Sequence, residues 1–202
     1  MKKKNILPVF SYIFHPVFIS IYGSLFYFFI AKGFYSPVQL YVMLIQICIL
    51  TLLLPLSIYF LFRSLGIVSS FTEASLKERQ MPIAIQAVLL FLLVQFSITK
   101  EVSIPLFYYF LGGLISATLA LLFVLMRFKV SLHLIGISAL TIFVYEIGVY
   151  YQFSTVNLIA FCVILMGLVA TSRLYMKAHT PKELIVGTLV GIVPQLVLFN
   201  YW

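Results

Sequence analysis

Between Ser172 and Gly191 the chain reads Ser-Arg-Leu-Tyr-Met-Lys-Ala-His-Thr-Pro-Lys-Glu-Leu-Ile-Val-Gly-Thr-Leu-Val-Gly. Arg173, His179 and Glu183 fall together at the edge of otherwise apolar sequence, with Ser172 and Lys177 beside them. These residue types suit a phosphate site. A guanidinium binds the charge, an imidazole attacks or moves protons, and a carboxylate orients the imidazole. Two other polar clusters carry compatible groups: Lys77, Glu78 and Arg79 ahead of Pro82, and Arg127, Lys129, Ser131 and His133.

The elements that must position these groups are membrane spans. Of 202 residues 63% are hydrophobic and only 9% charged, and the mean hydropathy is +1.16. A soluble domain carries about a quarter charged residues. The chain therefore reads as one polytopic, all-α integral membrane domain over residues 1–202, a helical bundle of six to seven spans, with a bacterial cytoplasmic membrane as its expected address. A net charge of +8 in such a chain speaks for loop topology and anionic headgroups rather than nucleic acid. Cys48 and Cys162 both lie in apolar runs, which argues against a disulfide framework or a thiolate metal site. The chain contains no Asp, so mechanisms built on Asp-rich magnesium motifs are excluded, and no cofactor is expected.

Apolar runs extend over about 7–31, 39–62, 83–98, 104–126, 134–150, 156–170 and 184–201. The first contains His15-Pro16, and the third is short for a span. Two runs separate Arg79 from Arg127, and two more separate His133 from Arg173. An even number of crossings returns the chain to the same face, so clusters 77–82, 127–133 and 172–183 are expected to meet at one membrane surface. All but two of the 13 Lys and Arg fall on that side, the exceptions being Lys32 and Lys100. The excess of positive charge assigns that face, with the N-terminus, to the cytoplasm and Trp202 to the outside.

The stretch Ser172-Arg173, five residues, His179, three residues, Glu183 resembles the third signature of the type-2 phosphatidic acid phosphatase superfamily, the lipid phosphatases and vanadium haloperoxidases, which has Asp at the last position. Ser131-Leu132-His133 resembles the second signature, with Leu where the family has Gly. Arg79 matches the arginine of the first, with Thr72 where a lysine stands and Pro82 two residues late. The resemblance spans roughly 72–191. It implies a metal-free lipid-phosphate phosphatase acting on a phosphomonoester or pyrophosphate. His179 would be the nucleophile forming a phosphohistidine, held by Glu183, and His133 the general acid. Arg173, Arg79 and Ser131, with Lys77 or Lys129 supplying the missing lysine charge, would bind the phosphoryl oxygens. It also implies six spans and an extracytoplasmic site, against the count above. The alternative function is a non-catalytic relative that binds or transports anionic lipid headgroups.

Plainer readings stand beside these. Thr180-Pro181-Lys182-Glu183 is a helix start with a capping box. Gly187 and Gly191 suit close helix packing. Arg127, Lys129 and Lys177 suit interfacial anchors, and the aromatics a lipid-facing and interfacial role. His15 reads as structural. Glu146 sits inside the fifth run, about 20 Å along a helix from His133, and cannot join the phosphate site.

Overall fold

The computed structural model describes residues 6–67 and 75–202. Thr72, at the lysine position of the first signature, and Lys2 to Lys4 lie outside the described residues. The described chain is all-α, with helices α1 (Leu7–Ile13), α2 (Pro16–Ala31), α3 (Pro37–Cys48), α4 (Leu54–Ser64), α5 (Leu76–Leu92), α6 (Ile104–Leu125), α7 (Leu132–Tyr150), α8 (Val156–Tyr175) and α9 (Pro181–Phe199). Proline starts most of these helices. Pro8, Pro16, Pro37, Pro105 and Pro181 all lie in a first turn, where the missing N–H costs no helical bond.

Among the described residues, six helical stretches are long and apolar enough to cross a membrane: Pro37–Ser64, Leu76–Ser97, Ile104–Leu125, Leu132–Tyr150, Val156–Tyr175 and Pro181–Phe199. α1 and α2, which meet at 65°, add a seventh crossing only if the two count together as one broken span. The chain is an integral membrane protein by these helices. Pro37–Ser64 stays one span because a π turn over Ile49–Leu53 absorbs Pro55, and a second π turn, Leu93–Ser97, extends α5.

Several boundaries differ from the sequence reading. The first run is not one helix: Pro16 ends α1, and His15 caps a new helix at a new angle. The short third run gains a polar turn at its start, since Ser75 caps α5 through Glu78 N–H, so Arg79 is helical. The sixth run likewise continues through Ser172 and Arg173 to Tyr175. In both cases polar residues at a span end belong to the helix, and Arg79, Ser172 and Arg173 are buried there within the bundle.

Burial identifies the centre. In α7, 72% of the spanning window is buried, against 11% in Pro37–Ser64. A helix apolar all round with low moment must be enclosed, and α7 is packed by α2, α6, α8 and α9. Part of the aromatic richness is interior: Tyr109 stacks on Phe143 with centroids 4.2 Å apart, and Tyr27, Phe28 and Phe110 are buried with them. Each fills far more core volume than an aliphatic residue. The far end of the bundle is tied by Tyr35 Oη donating to the Val102 carbonyl (3.3 Å), Ser103 Oγ donating to Tyr27 Oη (3.0 Å), and Trp202 packed on Tyr150. The starts of α2, α5, α7 and α9 lie at the opposite end.

Candidate functional site

That opposite end is assembled around the starts of α7 and α9, which run side by side in the same direction. Ser131 N–H donates to the Glu183 carbonyl at 3.3 Å. Glycine makes the approach possible. A Cβ on Gly187 would stand 2.8 Å from the Ser131 carbonyl oxygen, and one on Gly191 would collide with Ser138 Oγ and the Ile135 carbonyl. The glycines after Glu183 are thus packing residues that set how close its helix lies to Ser131.

The loop from α8 to α9 positions the imidazole. Lys177 takes a left-handed conformation (φ 53°), with Lys177 N–H on Leu174 O (2.9 Å) and Ala178 N–H on Arg173 O (3.1 Å), which closes α8 without glycine. Thr180 then caps α9 with a full capping box. The Glu183 carboxylate does two things at once: Oε2 accepts from Thr180 N–H at 3.1 Å and from His179 Nδ1–H at 2.9 Å. Cap and orienting carboxylate are the same group.

The arginines come from two other helices. Arg79 is buried, and Nη1 donates to the Val130 carbonyl at 3.4 Å, joining α5 to the α6–α7 loop. Arg173 is wholly buried in the last turn of α8. Arg173 acts electrostatically on both His133 and His179, and Arg79 and Lys129 act on His179. Burial first, then these three cations, push the His179 imidazole down to about 3, against the pull of a backbone hydrogen bond at Lys129. The ring is therefore neutral at ordinary pH, with Nδ1–H on the carboxylate.

His133 is buried in the first turn of α7, and its Nε2–H donates to the Ser11 carbonyl at 3.0 Å. Ser131, two residues ahead, is fully buried, and its Oγ has no hydrogen-bond partner among the described residues. Two spaces open here. An apolar cavity of about 280 Å³ between α2, α4, α5, α6 and α7 has His15, Glu78, Arg79 and His133 at its polar end. A separate surface groove is lined by Lys129, Lys177, His179 and Glu183.

Of the residues singled out from sequence, Arg79, Lys129, Ser131, His133, Arg173, His179 and Glu183 gather at this one end. Lys77 does not join them. It is exposed on α5 and makes no hydrogen bond or ion pair among the described residues. Glu146 is fully buried in α7, away from the cluster, with neither carboxylate oxygen partnered among the described residues. Among the described residues no three His, Cys, Asp or Glu side chains gather as metal ligands.

Sequence reasoning missed Ser11 and read His15 as structural, which its role as the cap of α2 fits. Ser11 Oγ meets Ser172 Oγ at 2.6 Å, which docks α1 beneath the Ser-Arg pair, while its carbonyl takes His133. Nothing in a Phe-Ser-Tyr context signals this. His15-Pro16 was visible as a break, but its nearness to His133 depends on the 65° bend. No family model, curated protein or solved structure matches the chain.

Proposed function

We propose that the chain is a membrane lipid-phosphate phosphatase that cleaves a phosphomonoester or pyrophosphate through a phosphohistidine at His179. The observation that carries this reading is the two-sided arrangement of the imidazoles. His179 opens to the surface groove, His133 lines the apolar cavity, and Arg173 acts on both. An in-line displacement needs the nucleophile and the leaving oxygen on opposite sides of phosphorus.

In this mechanism the lipid tail occupies the apolar cavity. The phosphoryl group sits among Arg79, Arg173 and the Ser131 hydroxyl, whose donors stabilise charge developing on its oxygens. Neutral His179, held through Nδ1 by Glu183, attacks phosphorus with its other ring nitrogen. With the ring's one proton on Nδ1, Nε2 keeps its lone pair and turns from the Lys129 backbone to reach phosphorus. A nitrogen–phosphorus bond forms as the phosphorus–oxygen bond to the lipid breaks, and the proton that the phosphate monoanion brings passes through His133 to the departing oxygen. With its Nε2–H on the Ser11 carbonyl, His133 has Nδ1 left for that transfer. Water then takes the place of the alcohol, gives its proton to His133, and releases phosphate. Lys129 adds positive charge at the groove, and the resemblance to the type-2 phosphatidic acid phosphatases agrees in each of these roles.

One feature favours the second reading, headgroup binding without turnover: Leu132 lines the cavity where the signature has glycine. Purified protein given a panel of single-chain alkyl phosphates, lipid phosphomonoesters and lipid pyrophosphates decides between them. Phosphate release that His179→Ala abolishes supports the hydrolase. Tight binding without any release supports the headgroup binder.

A further inference from the structure

We propose that the cavity takes a lipid phosphate whose chain carries a hydroxyl group deep in the membrane, held by the amide oxygen of Gln195. The inference rests on the lipid-phosphate reading above and names the class of chain that the site selects.

Gln195 lies in α9 and is only 1% exposed. Its Nε2–H donates to the Tyr109 carbonyl at 3.0 Å. That bond fixes the amide plane and turns Oε1 away from the Tyr109 carbonyl. Oε1 has no hydrogen-bond partner among the described residues. The amide sits in a notch left by a glycine: a Cβ on Gly112 would stand 2.6 Å from Nε2 and 2.9 Å from Oε1. Leucine would fill about the same space without leaving a buried acceptor unmade, so packing alone gives no reason for glutamine. The missing donor is expected from whatever fills the adjoining space.

That space is the apolar cavity whose polar end holds Arg79 and His133. Gln195 lines it from α9 and Gln86 from α5. The Gln86 side chain makes no hydrogen bond among the described residues either. Ser116, another polar group on the wall, is already bonded to the Val190 carbonyl at 2.9 Å. The depth of the two amides follows from the helices. Gly187 abuts the Ser131 carbonyl, and Gln195 comes eight residues later, about 12 Å further along α9. Gln86 comes seven residues after Arg79, about 10 Å further along α5. A chain leading from a phosphate between Arg79 and Ser131 therefore passes both amides about 10–12 Å beyond its headgroup. A hydroxyl at that depth donates to Gln195 Oε1 and accepts from the Gln86 amide. A hydrocarbon does neither, and an ester carbonyl only accepts.

Two positional isomers test this against plain dodecyl phosphate. In extended 9-hydroxydodecyl phosphate the hydroxyl stands about 12 Å from phosphorus, while in 3-hydroxydodecyl phosphate it stays near the headgroup. The isomers match in composition, so a difference between them reports where the hydroxyl binds. Wild-type protein in detergent should show a KM, or a Kd if no phosphate is released, about tenfold or more lower for the 9-hydroxy isomer. Gln195→Leu should erase that preference while keeping its constant for dodecyl phosphate within about threefold of wild type, which a merely disordered cavity would not do. Gln86→Leu, which breaks no hydrogen bond among the described residues, should reduce the preference in part. Equal constants for the two isomers in wild type, or a preference that survives in Gln195→Leu, would overturn the inference and leave the phosphatase reading standing. Wild-type protein that neither binds nor cleaves any of the three compounds would instead remove the lipid-phosphate reading, and this inference with it.

Discussion

Glu183 Oε2 lies 2.9 Å from His179 Nδ1, so a residue one turn inside α9 holds the imidazole of the loop before it. The same oxygen caps the helix through Thr180 N–H. Substitution can separate these two tasks. Glu183→Gln keeps an acceptor for the cap and removes the charge that supports the imidazole, so it should melt like the wild type while phosphate release falls about 10²-fold or more. Glu183→Ala should lose about 1 kcal/mol of stability as well. Full activity in Glu183→Gln would leave Glu183 as a cap alone.

Ser131 offers the opposite separation. Its buried hydroxyl has no partner among the described residues, so removing it breaks no hydrogen bond among them. Ser131→Ala should hold or slightly raise the melting temperature, yet weaken vanadate inhibition about tenfold, because the hydroxyl gains a partner only when a phosphoryl oxygen arrives. A variant that melts markedly lower with unchanged vanadate inhibition would make the serine structural.

The pH dependence follows from His179. Its imidazole is held near 3 by burial and by Arg79, Arg173 and Lys129, so the nucleophile stays unprotonated from pH 8 down through 5. The acid limb of kcat/KM due to His179 should lie near pH 3, well below the ordinary imidazole range. Lys129→Ala removes one cation and should move that limb upward. The unfolded imidazole takes up its proton near 6.5 while the folded one does not, so this group's contribution to stability is lost as pH falls from about 6.5 towards 3. An acid limb unmoved by Lys129→Ala would dissociate it from His179.

The side of the membrane is open to direct measurement. The Lys and Arg excess predicts that Ser75 faces the cytoplasm, whereas Gly33 and Gln152 face outward. Single cysteines at these positions, in a background without Cys48 and Cys162, can be labelled in intact cells with an impermeant maleimide. Labelling at 33 and 152 alone is the expected result. Labelling at 75 alone would invert the protein and put the site on the outer face, as the phosphatase resemblance implies.

The meeting of the three clusters was legible because it needed only the parity of spans between Arg79, Arg127, His133 and Arg173. The capping box at Thr180 was legible because its signals are local. The partition of the cluster was not. Sequence does not tell that Arg79 turns inward on α5 while Lys77, two residues earlier, turns out, since both sit in a polar stretch that reads as loop. Nor does it show that His133 and His179 serve different openings. That depends on how α9 lies against α7, which Gly187 and Gly191 set through contacts remote in sequence. Ser11 was missed, and the contact of His15 with His133 was not legible, for the same reason: the angle at a proline break is decided by what the two helices pack on, here α8 for α1 and α7 for α2.

The elbow at His15 also acts on the lipid around the protein. α2 has 16 residues and measures about 24 Å, against a hydrocarbon core of about 30 Å. The bend turns α1 off that axis and leaves Ile6, Val9, Tyr12 and Ile13 exposed, a pattern suited to lying in the headgroup boundary. A crossing that is too short is met by thinning of the bilayer beside it. If α2 crosses alone, thinning beside it would bring headgroups down towards the polar end of the cavity. On the proposed lipid-phosphate reading, that mismatch would do part of the work of drawing a lipid towards the cavity.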